Sequence, residues 1–320
     1  MLRPAPVSKS RKKAGYSMEV IQQIIILYLV AGVGFVLTKL KVFNDQTVKS
    51  MTTLVAKVGI PAMTIVKLQE VGDPSVLPAL AQTILIPFAL LLIVTGISFA
   101  VFHKEETARR AVYTQMSAYS NCGFMGYPVI EAALGATGLM HSIGFNCAYT
   151  IVTWTLGVRL FSGKQKGAWK QLLNPGLIAS LLSVILFAAN IRLPGFINSG
   201  LNYLQSMTTP LSMLVTGAYM SKITKDIVLD KKMWLGCTMR LVCYPLLTLA
   251  MMLLLPITPL QKAMFFITML MPCASVTVIQ ALAYSTEDAA RMSTGAIALS
   301  TILSAATIPL LLTLMPALGL

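Results

Sequence analysis

The sequence predicts an all-α integral membrane protein of ten transmembrane helices, arranged as two inverted repeats of five helices with broken helices 4 and 9. Three observations predict this fold: an apolar composition, ten apolar stretches of spanning length, and interruptions at matching positions in the two halves. Of the 320 residues, 56% are hydrophobic and 11% are charged, whereas soluble domains are about 45–50% apolar and about 25% charged.

The chain divides into a short tail and two similar halves. Residues 1–17 are basic and lack a hydrophobic period, which predicts a disordered tail. The first five-helix repeat is expected at 18–161, a cytoplasmic linker at 162–170 and the second repeat at 171–320. Because a span needs about 20 residues, the ten spans are placed near residues 18–40, 47–69, 76–102, 108–133, 137–161, 171–191, 196–221, 232–255, 261–284 and 289–316.

Spans 2, 4, 7 and 9 are the polar or proline-containing ones, so they are expected to pack centrally or to line water. Pro61 in span 2 and Pro210 in span 7 are separated by almost the same number of residues as Cys122 in span 4 and Pro272 in span 9. Such matched interruptions indicate a transporter binding site; chance placement of common membrane prolines is the alternative. An odd number of spans in each half makes the second half inverted.

The loops predict the orientation. Those after spans 1, 3, 5, 7 and 9 carry fifteen Lys and Arg residues, and those after spans 2, 4, 6 and 8 carry three. The positive-inside rule therefore predicts a multi-pass protein of the plasma (inner) membrane with both termini outside, although the basic tail is an exception to the bias. Basic residues between apolar runs indicate contact with anionic lipid rather than with nucleic acid. A homodimer is compatible with the sequence.

Residues 120–128, Ser-Asn-Cys-Gly-Phe-Met-Gly-Tyr-Pro, interrupt the apolar run of span 4. Gly and Pro both weaken a helix, and Pro also removes a backbone donor. In a bilayer, loose backbone groups are tolerated only where they line a cavity or are buried in protein. The stretch therefore predicts a broken helix at a binding site, with an ordinary kinked helix as the alternative; residues 271–275 are the equivalent break in span 9.

The helix ends at such breaks offer free N–H groups and partial positive charge, which suit an organic anion. The Asn121 amide can donate to a carboxylate or cap the half-helix, and we favour substrate contact, although the two roles are compatible. For each nearby hydroxyl, a bond to its own helix backbone is the alternative. The candidate substrate-binding residues are Ser120, Asn121, Cys122, Gly123, Pro272, Cys273, Ser275, Thr277, Gln280, Pro61, Pro210 and Lys57.

Few ionisable residues lie in the spans. Lys57 either faces the cavity or snorkels to the interface, Arg240 is expected to snorkel, and Glu131 is either a proton carrier or an exposed helix-end carboxylate. His103 and His141 are too far apart to predict a metal cluster, and neither an enzyme nor a cofactor is expected. The coupling ion, H⁺ or Na⁺, stays unassigned.

Four motifs resemble the bacterial auxin efflux carrier family. Residues 121–128 are similar to its Asn-x-Gly-Phe-x-Gly-x-Pro stretch, 59–62 to its span-2 proline motif, 271–274 to its Met-Pro-Ala stretch and 300–304 to its Ser-Thr-Leu-Leu-Ser stretch. The resemblance implies a secondary transporter of ten spans, whose broken helices 4 and 9 cross at the substrate site. Its implied substrates are malonate, malate and, in plants, auxin. Cys122 stands where the plant branch has Pro, which weakens the argument for auxin as the substrate.

From residues and resemblance together, we expect a secondary transporter of small organic anions such as mono- or dicarboxylates, working by alternating access at the helix 4/helix 9 crossover. A channel or a transporter-derived substrate sensor is the alternative, and a membrane-embedded enzyme is a more distant one.

Overall fold

The computed structural model describes residues 9–71, 77–162 and 175–318, and within these ranges the chain is helical with no β-strand. The α-helices are α1 (Lys9–Lys39), α2 (Asp45–Leu54), α3 (Ile60–Val71), α4 (Leu77–Val101), α5 (Thr107–Ala118), α6 (Tyr127–Val152), α7 (Val158–Ser162), α8 (Pro175–Ala188), α9 (Gly195–Ser206), α10 (Thr208–Met220), α11 (Lys225–Leu229), α12 (Lys231–Thr238), α13 (Tyr244–Leu254), α14 (Pro259–Leu270), α15 (Val276–Tyr284) and α16 (Glu287–Leu312).

Wider π-helical turns join several of these helices. They lie at Val55–Gly59 between α2 and α3, at Cys122–Gly126 before α6, at Thr153–Gly157 between α6 and α7, and at Met239–Cys243 between α12 and α13. Such turns occur frequently at functional sites.

Five stretches of the described residues are long and apolar enough to cross a membrane. They are Ile21–Lys39, Asp45–Glu70, Pro78–Val101, Lys231–Leu254 and Glu287–Leu312. The structure therefore supports an all-helical protein with several membrane-capable helices. These stretches match predicted spans 1, 2, 3, 8 and 10, whereas spans 4, 5, 6, 7 and 9 are absent from the set. In spans 4 and 9 the helices are divided: α5 and α14 have 12 residues each before they end.

The amino-terminal boundary differs from the prediction. α1 begins at Lys9, so residues 9–17 extend the first helix instead of forming a disordered tail, while residues 1–8 lie outside the described residues. Lys and Arg are good helix formers, and extending an existing helix costs less than nucleating a new one. Of the predicted linker at 162–170, only Ser162 lies within the described residues, as the last residue of α7.

Gly135 separates the fourth and fifth predicted spans inside α6. Its φ of 66° and ψ of −167° are not helical, and a positive φ of this kind is open to Gly at little steric cost. The helix therefore changes direction between residues 133 and 137, the ends predicted for spans 4 and 5.

We divide the helices into two groups, which also contact each other through α10 and α16 and through α1 and α6. In the first, α1 lies along α10, and α3 packs against α8 and α9. In the second, α4, α5 and α6 pack with α12 to α16, and the most extensive contacts there join α4 to α6 and α14 to α6. The sequence interruptions of α5–α6 and α14–α15 thus belong to one packed unit.

Glycines allow α1 and α10 to approach closely. A Cβ atom built on Gly217 would lie 1.8 Å from the carbonyl oxygen of Ala31, and one on Gly34 would lie 2.1 Å from that of Leu214. Both contacts involve backbone atoms, so no side-chain rotation could relieve them.

We expect Gly217→Ala to force α1 and α10 apart and to lower the free energy of unfolding by about 1–3 kcal/mol, the usual cost of overpacking. Thermal unfolding in detergent measures the loss. Gly32→Ala in α1 is the matched control, because a Cβ there meets no atom within 4 Å. Equal melting temperatures for the two variants would contradict the close packing.

Candidate functional site

The two interruptions meet each other. α5 ends at Ala118 and helical geometry resumes at Cys122, while α14 ends at Leu270 and α15 begins at Val276. The segments between them pair as a short antiparallel bridge between Ser120 and Cys273. The two short segments are thus held by backbone pairing instead of by their own helices.

Backbone hydrogen bonds hold the bridge. The N–H of Asn121 donates to the carbonyl of Pro272 at 2.8 Å, and the N–H of Ala274 donates to that of Tyr119 at 3.0 Å. Each broken helix thereby satisfies part of the backbone that the other leaves open, which a buried chain in a membrane requires.

Asn121 caps the helix that follows it. Its side-chain Oδ1 accepts a hydrogen bond from the N–H of Phe124 at 3.2 Å, and its carbonyl accepts one from Gly126 at 3.0 Å. The other side-chain atom, Nδ2, is buried and has no protein partner among the described residues. The capping role is therefore present, and the donor that a carboxylate would need is still free.

One serine on each break shares this feature. The Oγ atoms of Ser120 and Ser275 are buried and have no hydrogen-bond partner among the described residues. Buried polar side chains are nearly always bonded to protein or water. Asn121, Ser120 and Ser275 thus place three unpartnered donors on the two facing breaks, where water or a ligand would supply the acceptors.

Ser300 in α16 supports the second break. Its Oγ accepts a hydrogen bond from the N–H of Cys273 at 3.1 Å and donates to the carbonyl of Ile297 at 3.2 Å. Ser304, in the same motif, contacts the hydroxyl of Tyr28 in α1 at 2.6 Å. The sequence motif at 300–304 was visible, but only the fold shows what its serines bind.

The position of Arg240 shows that the prediction of a side chain snorkelling to the interface is wrong. Its side chain is fully buried, at 0% exposure. One terminal nitrogen donates to the carbonyls of Ala118 (2.9 Å) and Ser117 (3.3 Å), and the other donates to the carbonyl of Met269 at 2.7 Å. These carbonyls lie at the carboxyl ends of α5 and α14, where helix carbonyls lack partners of their own, so they supply buried acceptors for both terminal nitrogens of the guanidinium.

Sequence reasoning missed this role of Arg240, although one signal was available. An arginine about two turns inside an apolar span must find several acceptors, because a guanidinium carries five N–H donors and stays charged. Broken helices elsewhere in the same chain supply free carbonyls of that kind.

Gln280 is held in a separate buried network. Its Oε1 accepts from the Nε2 of Gln115 at 2.9 Å, and its own Nε2 donates to the carbonyl of Thr153 at 2.9 Å. Gln115 also donates to the carbonyl of Gly157 at 2.7 Å. The network joins α5, α15 and the π-helical turn Thr153–Gly157, and it uses both polar atoms of the Gln280 amide.

The sulfur-containing and small candidates lie close to the bridge. The Cys122 thiol is buried and contacts the Oδ1 of Asn146 at 3.8 Å, and the Cys273 thiol lies 3.8 Å from the Oγ1 of Thr277. Gly123 packs near span 2, since a Cβ built on it would lie 3.3 Å from the Cδ1 of Ile60.

The candidates on spans 2 and 7 are placed differently. Pro61 is partly buried, whereas Pro210 and Lys57 are exposed. The exposure of Lys57 agrees with the snorkelling alternative. It is Ser212, two residues after Pro210, that reaches the first break, where its hydroxyl lies 3.4 Å from the carbonyl of Phe124.

The carboxylate of Glu131 forms an ion pair, whereas a proton carrier would need a carboxylate that is free to exchange protons. The Nζ of Lys67 contacts the Glu131 carboxylate at 2.8 Å and the Glu70 carboxylate at 3.2 Å. Elsewhere, Arg291 of α16 pairs with Asp226 of α11 and with Asp288 of α16, and hydrogen bonds from the Thr224 and Arg291 side chains lower the pKa of Asp226. Within the described residues, no group of three His, Cys, Asp or Glu side chains could hold a metal ion.

Comparison with known proteins identifies the family. A family model described as "Membrane transport protein" matches residues 19–168 and 164–312. An uncharacterized transporter of Methanocaldococcus jannaschii is 26% identical over 285 residues, 84% of this chain and 90% of the relative. An uncharacterized transporter of Methanothermobacter thermautotrophicus is 25% identical over 307 residues, 92% of this chain and 97% of the relative. The chain therefore belongs to the membrane transport protein family, the auxin efflux carrier-like family that its motifs resemble.

Proposed function

We propose that this membrane transporter is a secondary transporter of small organic anions, such as mono- or dicarboxylates, that binds its substrate where the two breaks meet. One observation carries the proposal: on the two facing breaks, Ser120, Asn121 and Ser275 present three buried polar atoms that have no partner within the part of the chain that the structure describes. A carboxylate has two oxygens with about four acceptor sites, so it can accept hydrogen bonds from all three.

The helix ends at the breaks favour the same ligand. Helical geometry resumes at Cys122 and at Val276, immediately after the residues with unpartnered donors. The amino end of a helix carries a partial positive charge and free N–H groups, and these stabilise anions. Transporters with broken helices bind substrate carboxylates in this manner.

The transport mechanism that we propose is alternating access. The chain would form ten spans in two inverted repeats, and the first helix group, α1 to α3 with α8 to α10, would move against the second. The matched sequence interruptions support the two repeats, as does the division of the family match near residues 164–168, within the predicted linker.

Reconstitution in proteoliposomes tests the function. We expect an unlabelled carboxylate inside the vesicles to accelerate the entry of the same labelled carboxylate, because a transporter exchanges substrate through one alternating site. Malonate and malate are the first probes, and empty vesicles are the control. Flux without this counterflow would indicate a channel, and binding without flux would indicate a sensor; either result would overturn the proposal.

The proposed topology makes a separate prediction in intact cells. Lys164, in the predicted linker and outside the described residues, is expected in the cytoplasm, and the exposed Ile191, after α8, is expected outside. In a cysteine-free background, Ile191→Cys should react with an impermeant thiol reagent, and Lys164→Cys should react only after the cells are opened. The reverse pattern would invert the orientation.

A further inference from the structure

We infer that Arg240 supplies the positive charge by which the site selects an anion. This single positive charge balances the negative charge of one carboxylate group bound where the two breaks meet. The inference rests on the proposed function and names the side chain that sets the charge selectivity of the binding site. Arg240 does not need to touch the substrate for this role, so it is a specificity-determining residue that acts through the electric field.

The first step is that no described side chain supplies a counter-charge to Arg240. The guanidinium is fully buried, and its hydrogen bonds go to neutral carbonyls and to the Met269 sulfur. It takes part in none of the ion pairs formed by the described side chains. Its Nε has no acceptor among them either. A buried charge of this kind is costly unless another group compensates it.

The second step concerns the helix ends around Arg240. Two carboxyl ends, those of α5 and α14, meet the guanidinium, and two amino ends follow the breaks at Cys122 and Val276. Each helix end carries a partial charge of about half an elementary charge, negative at carboxyl ends and positive at amino ends. The partial charges of the four helix ends therefore cancel approximately, and the net charge of the region is that of the Arg240 side chain.

The third step is that Arg240 lies near the unpartnered donors. It binds the carbonyl of Ala118, and Ser120 follows two residues later in the chain. Consecutive Cα atoms are about 3.8 Å apart, so the Cα atoms of Ala118 and Ser120 lie within about 8 Å of each other. At a separation of about 7–12 Å and an effective dielectric constant of about 20, one unit charge changes the binding of another by about 10- to 50-fold.

The test compares carboxylates with neutral analogues of the same shape. Malonate, malate and indole-3-acetate are titrated by calorimetry against malonamide, malamide and indole-3-acetamide, with purified wild-type protein, Arg240→Gln and Arg159→Gln. Arg159 is an exposed arginine of α7, so its variant controls for the loss of one charge elsewhere.

We expect Arg240→Gln to weaken carboxylate binding by about 10- to 50-fold and to leave amide binding unchanged, while Arg159→Gln behaves like wild type. Equal losses for carboxylates and amides would assign Arg240 a structural role only, and an unchanged carboxylate affinity would also overturn the inference. A wild-type protein that binds amides but not carboxylates would instead refute the proposed function, so the two failures are distinguishable.

Arg240→Lys keeps the test available if Arg240→Gln does not fold. A buried lysine loses its proton far more readily than arginine. Carboxylate binding by Arg240→Lys should therefore weaken as the pH rises, while wild-type binding stays constant over the same range. Parallel pH profiles for the two proteins would contradict the inference.

Discussion

Asn121→Asp is expected to abolish most carboxylate binding while the protein still folds. The substitution keeps an oxygen that can accept the hydrogen bond from the N–H of Phe124, and Asp is as good a helix cap as Asn. It removes the Nδ2 donor, however, and it places a carboxylate beside an anionic substrate. The variant therefore separates the binding role of Asn121 from its capping role.

The size of the effect follows from the lost interaction. A hydrogen bond to a charged group is worth about 1.5–3 kcal/mol, so Asn121→Ala should weaken binding by about 10- to 100-fold. Asn121→Asp should weaken it further, because an ionised Asp repels the substrate. Calorimetric titration with malonate and malate measures both affinities, and thermal unfolding in detergent confirms that the variants fold.

Asn44→Asp is the matched control for this substitution. Asn44 caps α2 in the same way, accepting a hydrogen bond from the N–H of Thr47 at 2.8 Å, but it lies in the loop after α1. Its variant should bind substrate like wild type. If Asn121→Asp, shown to be ionised, also binds carboxylates with wild-type affinity, then Asn121 is only a cap.

Gln280→Leu is expected to lower stability and to spare binding. Its amide bonds Gln115 at 2.9 Å and the carbonyl of Thr153 at 2.9 Å in the protein interior. Removing one partner of a buried hydrogen bond costs about 1–3 kcal/mol, because the other partner is left unsatisfied. Denaturant or thermal unfolding measures the loss, and calorimetry measures carboxylate affinity.

A double-mutant cycle tests whether the loss of stability comes from the hydrogen bond between Gln115 and Gln280. Gln115→Leu should be destabilising by a similar amount, and the double variant should lose less than the two single losses added, because both partners of the shared bond are then absent. Contacting residues couple by about 0.5–3 kcal/mol in such cycles. A Gln280→Leu variant with wild-type stability and reduced affinity would instead support the predicted substrate contact of Gln280.

Local sequence features predicted the parts of the fold that depend on neighbouring residues. Apolar runs of spanning length predicted membrane-capable helices, and the Gly, Asn and Pro residues at 120–128 predicted a place where the helix breaks. The carboxyl end of α5 at Ala118 and the non-helical segment at 271–275 lie at those places. Loss of backbone hydrogen bonds is a local effect, so local residue types indicate it.

The partners of the buried polar groups could not be predicted in this manner. Arg240 binds carbonyls 122 and 29 residues away in the chain, and Gln115 binds Gln280 at a separation of 165 residues. No local pattern selects such partners, since only the packed helices bring them together. The same chemistry explains why Arg240 was expected at the interface: its acceptors exist only after both helices have ended.

The central claim is that an organic anion binds between the two breaks, and an experimental structure with a bound carboxylate tests it most directly. Bromomalonate is suitable for an X-ray structure, because the anomalous signal of bromine locates it unambiguously. We predict carboxylate oxygens within hydrogen-bond distance of the Asn121 Nδ2 and of the Ser120 and Ser275 hydroxyls. Bromine density elsewhere in the protein, with these three groups bonded only to water, would contradict the account.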